Sequence, residues 1–309
     1  MTLARPSAIH GSAGKPFVNS SPSDLALRAA PLVFVFLWST GFVVTKLGLP
    51  YAEPMTFLMW RMAFVVAILL AIIAIVRPPW PTRAQAGHSA VTGILMHGFY
   101  LGGVFVAISQ GVPAGISALI PGLQPILTST IAGRFLGEKV TPLQWSGLVL
   151  GLVGVLLVLH DRTLIGSGTT FGWICSVLSL LGITFGTLYQ KRFGGPIDWR
   201  TGNLFQFASC LVLFGIAALA FETRQVTWSA TFIFSLLWLV VVLSILTVAL
   251  MYWLIRRIPA SRVASLFYLV PAVTALMAWL LFNERLDAVS IAGIVLCAVA
   301  VFIVNYRKA

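Results

Sequence analysis

Ten apolar runs, most of them close to the length of a bilayer-spanning helix, follow one another in this chain with only short polar breaks between them. They are Ala30–Leu49, Pro54–Val76, Ala90–Ser109, Ala114–Phe135, Leu143–Leu159, Thr169–Gln190, Thr201–Phe221, Phe232–Ile255, Ala260–Phe282 and Asp287–Asn305. A helix rises about 1.5 Å per residue, so about 20 residues cross a hydrocarbon core of about 30 Å. With 59% hydrophobic and 9% charged residues, the chain lacks the polar surface a water-soluble protein needs, where about a quarter of residues are charged. In lipid each backbone polar group must be satisfied within its own segment, which selects helices. The expected fold is an all-α membrane protein with ten transmembrane helices, and its obligatory partner is the lipid bilayer.

The net charge of +12 would suit nucleic-acid binding if it were gathered on one face. It is not. The Lys and Arg residues sit in the short breaks between runs. Ten crossings put both termini on one side. Lys46, Arg162, Arg224 and Arg285 then fall on the opposite side, Arg61 falls within a span, and the other fifteen of the twenty basic residues lie with the termini. Cytoplasmic loops are enriched in Lys and Arg, so the expected orientation has both termini in the cytoplasm and no nucleic-acid partner. Residues 1–29 are polar and rich in Ser, Pro and Gly, with no apolar core of a signal peptide, and read as a disordered cytoplasmic tail. Cys175, Cys210 and Cys297 each lie inside an apolar run, where cysteine acts as a small packing residue. Their spacing suggests neither a metal site nor a disulfide framework, and no cofactor is expected.

The chain also repeats itself. Shifted by 146 positions, Val112–His160 lies on Ile258–Tyr306 without a gap. Pro113 meets Pro259, Ala118 meets Ala264, Pro125 meets Pro271, Thr128 meets Thr274, Glu138 meets Glu284 and Gly147 meets Gly293. Upstream the offset becomes 145, so that Lys46 meets Lys191 and Arg61 meets Gln206. The repeats are residues 30–160 and 169–306, five helices each. An odd number of crossings makes the second copy enter the membrane from the other side. Inverted repeats of this kind are typical of secondary transporters, because one architecture used in both orientations gives inward-open and outward-open states of similar energy.

The first span carries Leu37-Trp38-Ser39-Thr40-Gly41-Phe42 with Lys46, and the second carries Phe57-Leu58-Met59-Trp60-Arg61. Leu136-Gly137-Glu138-Lys139-Val140-Thr141-Pro142 follows the fourth span, and Phe282-Asn283-Glu284-Arg285 the ninth. In these motifs, and in the doubled five-helix pattern, the chain resembles the drug/metabolite transporter superfamily, specifically its EamA-type ten-helix members. The resemblance covers nearly all of Ala30–Tyr306. It implies a transporter of a small-molecule solute in a bacterial inner membrane, not an enzyme. Relatives of this type export amino acids and other metabolites, import vitamins or move nucleotide sugars. By that analogy, export of an amino acid or similar metabolite is expected, and a monomer suffices for the architecture.

Transporter sites lie near the bilayer midplane, where the repeats meet and helices are broken. Trp38, Ser39 and Thr40 are halfway along the first span. Trp38 is far from the interfacial belt usual for tryptophan, which favours a cavity wall, while Ser39 and Thr40 suit either a polar lining or close helix packing. Pro121, Gln124 and Pro125 in the fourth span answer Tyr268 and Pro271 in the ninth. Each proline frees a backbone carbonyl, for which a water-lined cavity would supply partners. Gln124 is either a cavity side chain or an interhelical hydrogen bond. His97, with Tyr100 within hydrogen-bond reach one turn on, is the histidine of an apolar span, and a packing role is the commoner one there. Arg61 is near enough to the outer end of the second span to snorkel, with Glu53 a potential ion-pair partner. Glu138 and Glu284, at helix ends, read as fold-setting contacts.

All eight acids lie in tails, loops or span ends. Small multidrug antiporters of the resembled superfamily use a mid-membrane carboxylate to bind cations and protons. The lack of one here argues against cationic drugs and for a neutral or zwitterionic solute, with transport mainly down the solute gradient or weakly coupled to protons. The chain also lacks a Gly-x-Ser-x-Gly elbow, a His-Glu-x-x-His motif and paired intramembrane acids, which disfavours an embedded enzyme. No charge ring or carbonyl filter suggests a channel.

Overall fold

The computed structural model describes residues 24–125, 127, 128, 131, 141–158, 168–255, 257, 266, 267, 269–282 and 287–305. Within these lie ten apolar helices or helical spans. They are α1 (Asp24–Gly48), α2 (Pro54–Val76), α3 (Arg83–Ser109), α4 (Ala114–Leu123), α5 (Pro142–Val158), α6 (Thr170–Phe193), α7 (Trp199–Phe221), α8 (Ala230–Leu254), α9 (Leu269–Phe282) and α10 (Ala288–Asn305). Six of them, α1, α2, α3, α6, α7 and α8, are long and apolar enough to cross a bilayer on their own length, and the other four are shorter apolar helices.

The boundaries differ from the apolar runs where capping chemistry extends a helix beyond its apolar part. α3 starts seven residues before the run that marks it, because Thr82 and Gln85 form a reciprocal capping box ahead of a polar first turn. Asp198 and Ser229 cap α7 and α8 in the same way, each accepting a backbone N–H. α1 begins at Asp24, inside the segment read as tail. The near-fusion of the third and fourth runs is a tight turn. Gly111 adopts φ +88°, a conformation that suits glycine, and the turn packs against Gly168.

The packing follows a pseudo-two-fold that exchanges α1–α5 with α6–α10. Helices at equivalent places touch each other: α2 with α7, α4 with α9, α5 with α10. Further contacts come in exchanged pairs, α1 with α9 answering α6 with α4, and α1 with α8 answering α6 with α3. At the α5–α10 contact the Cys297 thiol donates to the Gly151 carbonyl at 3.7 Å, and these two residues are 146 positions apart, the repeat offset itself. Close approach there requires Gly154, where a Cβ would lie 2.8 Å from the Gly293 carbonyl oxygen.

Loop contacts establish the inversion. Residues 51–56 meet 222–227 through the Ala52–Val226 bridge and the Thr227 N–H to Tyr51 carbonyl bond. On the same side Gln110 bonds Thr169 and the Lys46 ammonium lies 4.3 Å from the Phe282 ring centroid. On the other side Thr201 reaches the Pro79 carbonyl, Tyr189 bonds His88, and Trp199 stacks on Tyr252. α1 therefore leaves the face at which α6 ends, and the two run antiparallel.

Two glutamates lock one face crosswise. Glu222, at the end of α7, accepts the Met55 and Thr56 N–H groups at 2.7 and 2.6 Å and the Thr56 hydroxyl at 2.8 Å. Glu53 accepts the Thr223 N–H and hydroxyl at 2.7 Å each, and the Arg224 N–H at 3.1 Å. A carboxylate also suits the positive end of α2. Glu222→Gln replaces one acceptor oxygen with a donor facing N–H groups, and is expected to destabilise the protein by about 2 kcal/mol. A lowered melting midpoint in detergent would register this, and an unchanged midpoint would show the clamp to be energetically idle.

Candidate functional site

The middle of the molecule, where the repeats meet, holds a connected polar group. Arg61 lies about two turns into α2 and is only 6% exposed. Its Nε and Nη2 donate to the Ser244 Oγ at 3.3 and 3.1 Å, and Ser244 in turn donates to the Leu239 carbonyl at 3.0 Å. Ser244 is midway along α8, so the guanidinium reaches inward and does not snorkel to the nearer end of α2. Nor does it pair with Glu53, whose carboxylate is held by Thr223 and Arg224. Among the described residues no carboxylate pairs with Arg61.

Arg61 also faces Tyr100 and His97 from α3 closely enough for charge to be felt. These two do not hydrogen-bond each other as the sequence suggested. Residues 94–99 form a π-helical turn, whose wider winding takes residues three apart off a common face. Tyr100 instead lies near the Trp38 side chain on α1, and His97 lies near the Gln206 side chain on α7 and stacks on Phe207 at 4.5 Å between centroids. Residues 238–247 of α8, Ser244 among them, are π-helical too. The two π segments overlap when shifted by 145 positions, so both repeats widen their third helix at the same place.

Trp38 packs edge-on against Phe267 at 4.8 Å and, tilted, against Phe34 at 5.4 Å. Ser39 is fully buried, with its hydroxyl 2.7 Å from the Val35 carbonyl and 3.2 Å from that of Val270 on α9. Thr40 donates to the Leu37 carbonyl and accepts the Trp238 indole N–H at 2.9 Å. Gln124, just beyond α4, donates to the Thr187 hydroxyl on α6 at 3.0 Å, an interhelical bond. The prolines mark the α4–α9 crossing, where a Cβ on Gly122 would lie 2.7 Å from the Pro271 ring. Two of the carbonyls they free have backbone partners. The Pro121 carbonyl accepts from the Gln124 N–H in a short 3₁₀ turn, and the Phe267 carbonyl accepts from the Val270 N–H at 3.3 Å. Tyr268, Glu138 and Glu284 lie outside the described residues.

This geometry can be set beside known proteins. The EamA-like transporter family matches residues 29–160 and 170–306, one match on each repeat. The chain belongs to the EamA-like transporter family. An EamA-like transporter is a membrane protein that moves a small-molecule solute, and this one shares its length with its relatives. It is 25% identical over 284 residues to YedA, named an uncharacterized inner membrane transporter of Escherichia coli (strain K12), covering 92% of each chain. It is 27% identical to a "probable amino-acid metabolite efflux pump" of the same organism, covering 90% of this chain and 95% of that one. A crystal structure superposes with a TM-score of 0.66 at 17% identity, covering 91% of this chain and 96% of the other, which bears on the fold alone.

Within this EamA-like transporter, the residues singled out from sequence fall into two neighbourhoods. Trp38, Arg61, His97 and Tyr100 form the linked cluster, while Gln124 belongs to a contact with α6. Sequence reasoning passed over Ser244, Gln206, Trp238 and Thr187. The one available signal was the repeat itself, since Gln206 occupies the place of Arg61 in the second copy.

Proposed function

We propose that this EamA-like transporter is a secondary carrier of the inner membrane that exports a small neutral or zwitterionic metabolite, an amino acid or a similar compound, by alternating access. The observation that carries the reading is the linked group Trp38–Tyr100–Arg61–Ser244 with His97–Gln206, built by α1, α2 and α3 of one repeat and α7 and α8 of the other. A polar group shared by both repeats changes its access when one repeat rocks against the other. The names of the relatives favour export and amino-acid-like solutes. Counterflow of labelled amino acids into proteoliposomes preloaded with the unlabelled compounds tests the carrier. Uptake should overshoot in loaded vesicles, and a uniform lack of overshoot across amino acids and other metabolites would remove the reading.

The face bearing Pro79, Arg83 and Arg200 is the cytoplasmic one in this reading, by the excess of basic residues there. Cysteine at Ala84 should be shielded from an impermeant thiol reagent in intact cells, and cysteine at Gln225 should be labelled. All three native cysteines are buried and leave the background low. The opposite labelling would invert the orientation.

Coupling in this reading does not depend on His97. His97→Gln keeps a polar side chain beside Gln206 and removes the titration. The variant should transport with an unchanged profile from about pH 5 to about pH 8, where an ordinary imidazole titrates. Loss of a pH-gradient-driven component with exchange intact would make His97 the coupling group.

A further inference from the structure

A guanidinium has five N–H donors. In Arg61 the Ser244 Oγ is the acceptor for two of them, and it is shared between Nε and Nη2. Among the described residues the Nη1 group and the second Nη2 hydrogen meet no acceptor. Four acids of the described structure are committed at helix ends. Glu53 and Glu222 form the crosswise clamp, Asp198 pairs with Arg200 at 3.1 Å, and Asp287 accepts the Ser290 N–H. A buried cation without a counter-charge is costly, and an ionisable side chain inside a membrane protein marks a functional site by default.

We infer that Arg61 is the anchor for a carboxylate carried by the transported solute, which deepens and rests on the transporter reading above. Three features point to a carboxylate on a partly apolar molecule. The fork of donors matches two carboxylate oxygens side by side. The linked set that includes it is largely aromatic, with Tyr100 near Arg61, Trp38 near Tyr100, Phe207 stacked on His97 and Phe267 packed on Trp38. The place of Arg61 in the other repeat is taken by neutral Gln206, 5% exposed, so the pair leaves one uncompensated positive charge. That charge repels a net cation. A zwitterion satisfies it with its acid group, and its ammonium meets ring faces and neutral oxygens, which attract a cation without a formal charge.

The test uses purified full-length protein and three matched mixtures: the L-amino acids, their carboxamides, which lack the acid, and their N-acetyl derivatives, which keep it. Melting midpoints are recorded against concentration. The amino acids and N-acetyl derivatives should stabilise the wild type, and the carboxamides should need about ten- to a hundredfold more, the value of charge-assisted hydrogen bonds to one group. Arg61→Lys should keep part of this preference and Arg61→Gln should lose it. Carboxamides as effective as acids would overturn the inference, and so would a folded Arg61→Gln that still prefers acids. If Arg61→Gln is not monodisperse, the wild-type comparison of acid with amide decides. No stabilisation by any mixture would also overturn it, and counterflow of a solute lacking an acid group would then keep the transporter reading standing.

Discussion

Gly93→Ala is expected to be the most damaging single methyl group that can be added to α3. A Cβ at this position would overlap the Gln206 carbonyl oxygen and lie 2.5 Å from the Gln206 Cα, both backbone atoms of α7. A flexible side chain could swing away, but a helix backbone must move as a body. Overpacking of this kind costs about 1–3 kcal/mol and more where nothing can yield, so about 3 kcal/mol is expected here. The displaced segment carries Gln206 and Phe207, the two partners of His97. Transport should therefore fall together with stability. Gly87→Ala on the same helix is the control, because no atom lies within 4 Å of its Cβ position. It should be neutral, or stabilising by up to about 1 kcal/mol through helix propensity. Equal behaviour of the two variants, read as monodisperse yield and melting midpoint, would show that α3 and α7 do not approach as closely as described.

The spans were legible because lipid imposes a length and forbids open backbone, and little else in the chain competes with that signal. The register between the halves was legible from the Pro125–Pro271 match, and the fold sets Pro271 against Gly122 of the matching segment. What the apolar runs could not reveal was polar chemistry continuing a helix. The Thr82–Gln85 capping box was readable as a pattern, yet it lies outside any apolar run and was passed over. The π segments were not readable at all. Ile94–Phe99 and Trp238–Thr247 are apolar on nearly every side, so no periodicity distinguishes 3.6 residues per turn from a wider winding.

For the site, the legible part was the set of residues whose presence in a membrane demands a reason. Trp38 away from the interface, Arg61 within a span and His97 in an apolar run all end in one cluster. Their partners were illegible for the opposite reason. Ser244, Thr187 and Gln206 are small or neutral polar residues of a kind common in packed membrane helices, and only the fold brings them opposite a cation or an amide. The error on Arg61 came from sequence proximity. Glu53 is near in the chain, but the α7–α8 loop offers it backbone donors that are nearer in space.

Trp38→Ala should lower the counterflow rate by more than about tenfold, equivalent to about 1.4 kcal/mol, while the protein still assembles. Trp38 is half-buried, so its removal does not empty a sealed core, and Phe34 and Phe267 still pack on each other at 5.4 Å. The loss falls instead on Tyr100. Its hydroxyl is buried near Arg61, and the Trp38 indole is its polar neighbour. Without that neighbour the phenol hydroxyl has more freedom to turn beside the guanidinium. Trp38→Phe separates the two contributions. It keeps the aromatic wall against Phe267 and deletes only the N–H. If orientation of Tyr100 matters, Trp38→Phe should resemble Trp38→Ala in rate, and Tyr100→Phe should add little to either, because the two residues then act as one unit. If the wall matters, Trp38→Phe should transport like the wild type. Full activity in all three variants would take the midplane cluster out of the transport path.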